Sequence, residues 1–287
     1  MKTVHPYLLE FVFLAAVFLL SVAGFWDVFF GADARPDAHQ LAHLLINFSW
    51  LALLACQLFL VARKDFRSHR TLGLAVLLMG PLLFASTALL SVHSAQKGLA
   101  SGRGDPLIVQ NVMVTLELGL LLLLAFALRK RRTLHGALLL GTALLFMGIA
   151  LFFALIAFVP AYRIEGPETF HRFAAAAITG QAICLAVGLA FVVRDARNGW
   201  PLLLAACFFL FNELLRALLA GRGWIEPLTE GVGSMSQPWT FAGSFAVMLA
   251  VLLATGIRPS RAAASPVRPA RRPPARRRAR PPRPCRR

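Results

Sequence analysis

Residues 135–160 read HGALLLGTALLFMGIALFFALIAFVP, a run without a single Asp, Glu, Lys or Arg. A bilayer's hydrocarbon core of about 30 Å is crossed by roughly 20 apolar residues of helix. Only helices and closed barrels satisfy every backbone polar group in that medium. The run is continuous in Leu, Ala, Phe and Val with no alternation of period two, so it reads as a helix and not as a barrel strand.

Runs of the same kind recur outward from it at 8–30, 39–62, 72–92, 107–128, 169–193, 200–220 and 237–257. Together they describe an all-α integral membrane protein, a bundle of about eight transmembrane helices over residues 1–258. With 58% hydrophobic residues, mean hydropathy +0.67 and a length of 287, no stretch is left for a separate soluble domain.

Positive charge fills every second gap. Arg63, Lys64, Arg67 and Arg70 follow the second run, Arg129 to Arg132 the fourth, and Arg194 and Arg197 the sixth. These gaps face the cytoplasm by the positive-inside rule. The alternate gaps carry Asp27, Asp33, Asp37, Asp105, Glu165, Glu168, Glu226 and Glu230 and face outward. Lys2 and the arginine tail place both termini in the cytoplasm, which an even number of crossings satisfies. The first run has small residues at Ser21-Val22-Ala23-Gly24, as a cleaved signal would. Its length and the belt of Phe25, Trp26, Phe29 and Phe30 favour a retained helix. The bacterial inner membrane is the expected location.

Residues 259–287 are different material: 11 Arg, 8 Pro and no acid, so 11 of the 17 net positive charges lie there. This composition buries no core and favours extended, disordered chain. It serves as a cytoplasmic anchor of charge or adheres to anionic lipid headgroups. It lacks the interleaved aromatics of a nucleic-acid stacking surface, so no specific nucleic acid is expected. Cys56, Cys184 and Cys207 stand alone in helices, and Cys285 is third from the end, one place off the prenylation pattern.

The histidines sort by depth. His39, His43, His93 and His171 fall towards the outer face, His69 and His135 towards the inner. His69 and His93 bracket the third helix about 36 Å apart at 1.5 Å per residue, so no one site holds both. Imidazoles near the ends of neighbouring helices can hold haem b from above and below. His69 with His135 forms the inner candidate pair and His43 with His93 the outer, with His171 as a substitute. Alternatively His39 and His43, four apart on one face with Asn47 and Trp50, chelate a metal together with His171. The plain reading of all six is amphipathic residues at headgroup level.

His43, Trp50, Gln57, the run His69-Arg70-Thr71-Leu72-Gly73, Pro81, and His135 after the basic loop form a further pattern. It resembles a broad group of uncharacterised bacterial multi-pass membrane proteins that share a helix-opening His, a Trp-Gln helix, an HRxLG turn and a later His. The likeness covers about residues 39–160 and implies architecture, not a reaction. In layout alone the alternating histidines are similar to two-haem b-type cytochromes. Here the fourth helix carries Asn111 and no histidine, and Gly136-Ala137 follow His135 where the group has bulky residues.

Other polar groups enter the bundle: Gln110, Asn111, Thr115 and Glu117 on the fourth helix, Gln181 on the sixth, and Asn212, Glu213 and Arg216 on the seventh. A carboxylate inside the bilayer is costly and faces the bundle interior. Glu213 has an answer at i+3 in Arg216. Glu117 has none, and with Asn111 and Gln181 it marks a polar path. Gly80-Pro81 reads as an interruption of the third helix. No HExxH, GxSxG or phosphate-binding glycine loop is present. Three functions follow: a b-type haem electron carrier, a permease with a polar path around Glu117, or a membrane scaffold without chemistry.

Overall fold

The computed structural model describes residues 7–32, 34–102 and 104–257. Among the described residues every regular element is helical: α1 (Leu8–Gly24), α2 (Trp26–Phe29), α3 (Ala38–Ala62), α4 (Phe66–Gly73), α5 (Val76–Ala100), α6 (Ile108–Ala127), α7 (Arg132–Phe158), α8 (His171–Arg194), α9 (Trp200–Gly221), α10 (Ile225–Gly233) and α11 (Gln237–Ile257). Seven of them, α3, α5 to α9 and α11, are long and apolar enough to cross a membrane. The chain divides into a helical unit, Met1–Gly256, and a second unit, Ile257–Arg287. The arginine- and proline-rich segment 259–287 lies outside the described residues.

Most spans agree with the sequence reading to within a few positions, and three departures are informative. The first run is two helices, because Phe25 leaves helical geometry at φ −104° and ψ 16°. The 17 residues of α1 rise only about 26 Å, short of a full crossing by length alone. Gly24 ends α1 with its backbone against α7, where an added Cβ would collide with the Ala150 carbonyl.

The second departure is the basic gap, which folds into α4. Asp65 accepts the Ser68 N–H at 3.1 Å, capping the helix. The Ser68 hydrogen bonds hold the Asp65 carboxyl below the usual carboxylate range. His69 therefore sits on a short separate helix and not on the third span. That span begins at Val76 and runs on to Ala100, leaving His93 inside it. Gly80-Pro81 does not interrupt it: Pro81 is buried within a continuous α5. A proline forfeits the bond its own N–H would have made one turn back, and packing on α3 and α6 holds the helix together. Gly80 faces the side chains of Leu122 and Leu252.

The third departure is α10, a short helix in the gap between the seventh and eighth runs. Its apolar residues Leu228 and Val232 pack on Ala95, Ile108 and Val109. The Gln96 amide donates to the carbonyls of Gly233 and Met235 at 3.1 Å each.

At the centre stands α7, 67% of whose apolar window is enclosed by protein, against 11% for the peripheral α11. Small residues make this close contact feasible. Gly148 of α7 receives the ring of Phe209 from α9 so tightly that a Cβ would overlap it. Trp50 of α3, fully buried, donates its indole N–H to Thr142 of α7 at 2.9 Å. Outside the bundle large apolar side chains project freely, among them Val193 (86% exposed), Trp239 (79%) and Leu214 (70%). An apolar surface of this kind fits hydrocarbon and is unfavourable in water.

Candidate functional site

The helices enclose a cavity of about 440 Å³. Its wall takes residues from one end of the bundle: the last turns of α1, the first half of α3, the second half of α5, the start of α6, the second half of α7, the start of α8 and the second half of α9. Phenylalanines dominate the surface, including Phe146, Phe152, Phe173 and Phe209. Into this apolar wall are set His43, Asn47, Asn111, Gln181 and Asn212, with Lys97 at the rim end of α5.

His43, Asn47 and Asn111 each have a defined setting. Ser86 donates to the Leu83 carbonyl at 3.0 Å, so the His43 Nδ1–H donates to Ser86 Oγ at 3.0 Å. His43 Nε2 then accepts from Asn47 Nδ2 at 3.1 Å, and the network assigns a neutral ring with both nitrogens engaged. The hydroxyls of Ser91 and Thr115 converge on the Asn111 carbonyl at 3.1 and 2.9 Å. The Asn111 amide reaches Asp105 at 3.4 Å.

Glu213 is the ion-paired acid: it accepts from Arg216 at 2.8 and 3.0 Å and from Gln110 Nε2 at 2.7 Å. Gln110 is thereby turned towards Glu213 and not towards Glu117, seven residues along its own helix. Glu117 is 3% exposed and faces Asn212 of α9. No hydrogen bond of good geometry joins them: both carboxyl oxygens of Glu117 and both amide atoms of Asn212 are buried without a partner. Unsatisfied polar atoms at such depth are rare and costly.

At the same end, outside the cavity's centre, the rings of His39 and His93 lie 3.7 Å apart between centroids. His93 Nε2 is 3.5 Å from Asp37 Oδ2. One ligand atom from each of Asp37, His39 and His93 falls within 4.8 Å of the other two. His39 thus meets His93 and Asp37, and not His43 and His171 as the chelating set read from sequence had it. His171 opens α8 with Nδ1 donating to the Glu168 carbonyl at 3.0 Å.

The opposite end holds both His69 and His135, near enough for the charge of one to bear on the other. His135 Nδ1–H donates to the Ala125 carbonyl at 2.8 Å, leaving Nε2 as the lone-pair nitrogen. The Gln57 amide, oriented to accept the Gly73 N–H at 2.7 Å, donates to His69 Nδ1. Burial first, and then the nearby His135, push the His69 imidazole below its ordinary value. Of the candidate haem ligands, His43 and His93 share the cavity wall but are turned to different partners.

These features define a polytopic helical chain with a polar-studded cavity inside its bundle. No protein-family model, curated protein or solved structure matches the chain.

Proposed function

We propose that the protein is a permease of the bacterial inner membrane that carries a small amphiphilic solute, coupled to a proton, through the cavity between α3 and α9. The reading counts eight crossings, α1 included, with both termini in the cytoplasm and the cavity facing outward. Charge supports that orientation: the arginines at 63–70 and 129–132 cluster at the end opposite the cavity. Aromatic walls suit an apolar solute body, and Asn111 and Gln181 suit a hydrogen-bonding end.

The observation that carries the reading is the unpaired couple Glu117 and Asn212, with Asn212 in the cavity wall. A protonatable carboxyl without a fixed partner, next to a buried amide whose residue borders the cavity, is what a proton-coupled site requires. Purified protein in liposomes loaded with a pH-sensitive dye tests it. Wild type is expected to pass protons down an imposed gradient, and Glu117→Gln to abolish that flux while its helical content and thermal transition persist. Equal flux in the two proteins would overturn the proposal.

A second reading is favoured by one observation, the placement of His69 and His135 at the same end of the bundle, where the charge of one bears on the other. There a b-type haem would take His135 Nε2 and His69 as axial ligands, Gln57 giving up its bond to His69. A dithionite-sensitive Soret band lost in His135→Ala supports this reading; colourless protein from haem-replete cells ends it.

A further inference from the structure

We propose that Asp37, His39 and His93 form a binding site for one divalent transition-metal ion of the Zn²⁺ class, placed at the cavity end of the bundle. The site stands on its own geometry and is independent of the permease reading.

Its three side chains come from two helices. Asp37 precedes α3 and is fixed by its own N–H donating to Gln40 Oε1 at 2.9 Å. His39 lies in the first turn of α3, and His93 reaches across from α5. Two imidazoles and a carboxylate are a donor set suited to Zn²⁺ and unsuited to Mg²⁺ or Ca²⁺. In a tetrahedral zinc site with bonds of about 2.0–2.1 Å, neighbouring ligand atoms are about 3.3–3.4 Å apart. The 3.5 Å between His93 Nε2 and Asp37 Oδ2 is close to that edge length and long for a direct charged hydrogen bond. All three ligand atoms lie within 4.8 Å of one another, near enough for one ion to be shared among them.

A separate observation points the same way. The Nε2 atoms of both His39 and His93 are buried and without hydrogen-bond partners. Two adjacent buried imidazole nitrogens without a hydrogen bond are costly unless something outside the chain takes them. Asp37, with its side chain 55% exposed, keeps an entry route open for an ion. Three protein ligands leave a fourth position for water or for a donor atom of a molecule in the cavity, whose wall includes His93. The bound ion would clasp the start of α3 to α5.

The test uses the full chain without a histidine tag, purified in detergent, stripped by chelator and equilibrated with buffered micromolar Zn²⁺. Metal analysis is expected to find about one Zn²⁺ per chain in wild type and in His171→Ala, and almost none in His39→Ala or His93→Ala. X-ray absorption of zinc-loaded wild type is expected to show two imidazoles in the metal's shell. Wild type free of zinc, undiminished zinc in the His39 and His93 variants, or a shell without imidazole would each overturn the site. The absorption measurement decides the matter on wild type alone should the variants fail to fold.

Discussion

Trp50 and Thr142 are joined by a hydrogen bond of 2.9 Å although 92 positions separate them in the chain. Thr142 passes its own proton on to the Leu139 carbonyl at 2.6 Å, so its oxygen is free to accept the indole N–H. Thr142→Val keeps the shape and removes the acceptor, leaving a fully buried N–H unpaired. The expected cost is about 1–3 kcal/mol, read as a lowered thermal midpoint in detergent. A midpoint equal to wild type would show that the bond does not pin α3 to α7.

Two glycines are expected to respond in opposite ways. Gly24→Ala places a methyl on the Ala150 backbone and forces α1 away from α7, a cost of about 1–3 kcal/mol or more. Gly136, near the start of α7, has no atom within 4 Å of an added Cβ. Gly136→Ala is expected to leave stability unchanged or raise it by up to about 1 kcal/mol. Thermal unfolding of the two variants side by side checks the pair.

Protonation at the end of the bundle opposite the cavity has a defined sign. The ordinary histidine value is 6.5, and His69 lies below it through burial, the nearby His135, and the guanidinium groups of Arg132 and Arg70, against an opposing hydrogen bond to the Gln57 backbone. The folded chain binds this proton less readily than the unfolded chain. Its contribution to stability is therefore present above 6.5 and is lost as pH falls through the interval beneath that value. Histidine NMR is expected to show His69 titrating below 6.5 in wild type and closer to it in His135→Ala. An unmoved midpoint would remove His135 as a cause.

What the sequence made legible was set by the solvent. A bilayer demands long apolar helices, and α3, α6, α9 and α11 fall close to where their runs lie. The pair Glu213 and Arg216 was legible too, because i,i+3 spacing fixes neighbours on one helix. Contacts between helices were not. Which residue faces Glu117 depends on the packing of α6 against α9, and its neighbour is Asn212 and not Gln110. His39 shares a helix with His43, but the crossing of α3 and α5 sets it against His93 instead. In the sequence Asp37 reads only as an acid in an outward-facing gap, because His93, which completes the cluster with His39, lies more than fifty residues on. Pro81 was misread because a proline's lost hydrogen bond is local, whereas the helix continues through its tertiary packing.

The cavity is the centre of the proposed function, and access to it from water is directly measurable. With Cys56, Cys184, Cys207 and Cys285 replaced, Gln181→Cys places a thiol in the cavity wall and Leu144→Cys places one in the packed core. A membrane-impermeant thiol reagent, applied to intact cells, is expected to label Gln181→Cys and to spare Leu144→Cys. Gln181→Cys as inert as Leu144→Cys, from either side of the membrane, would contradict a solute path through this bundle.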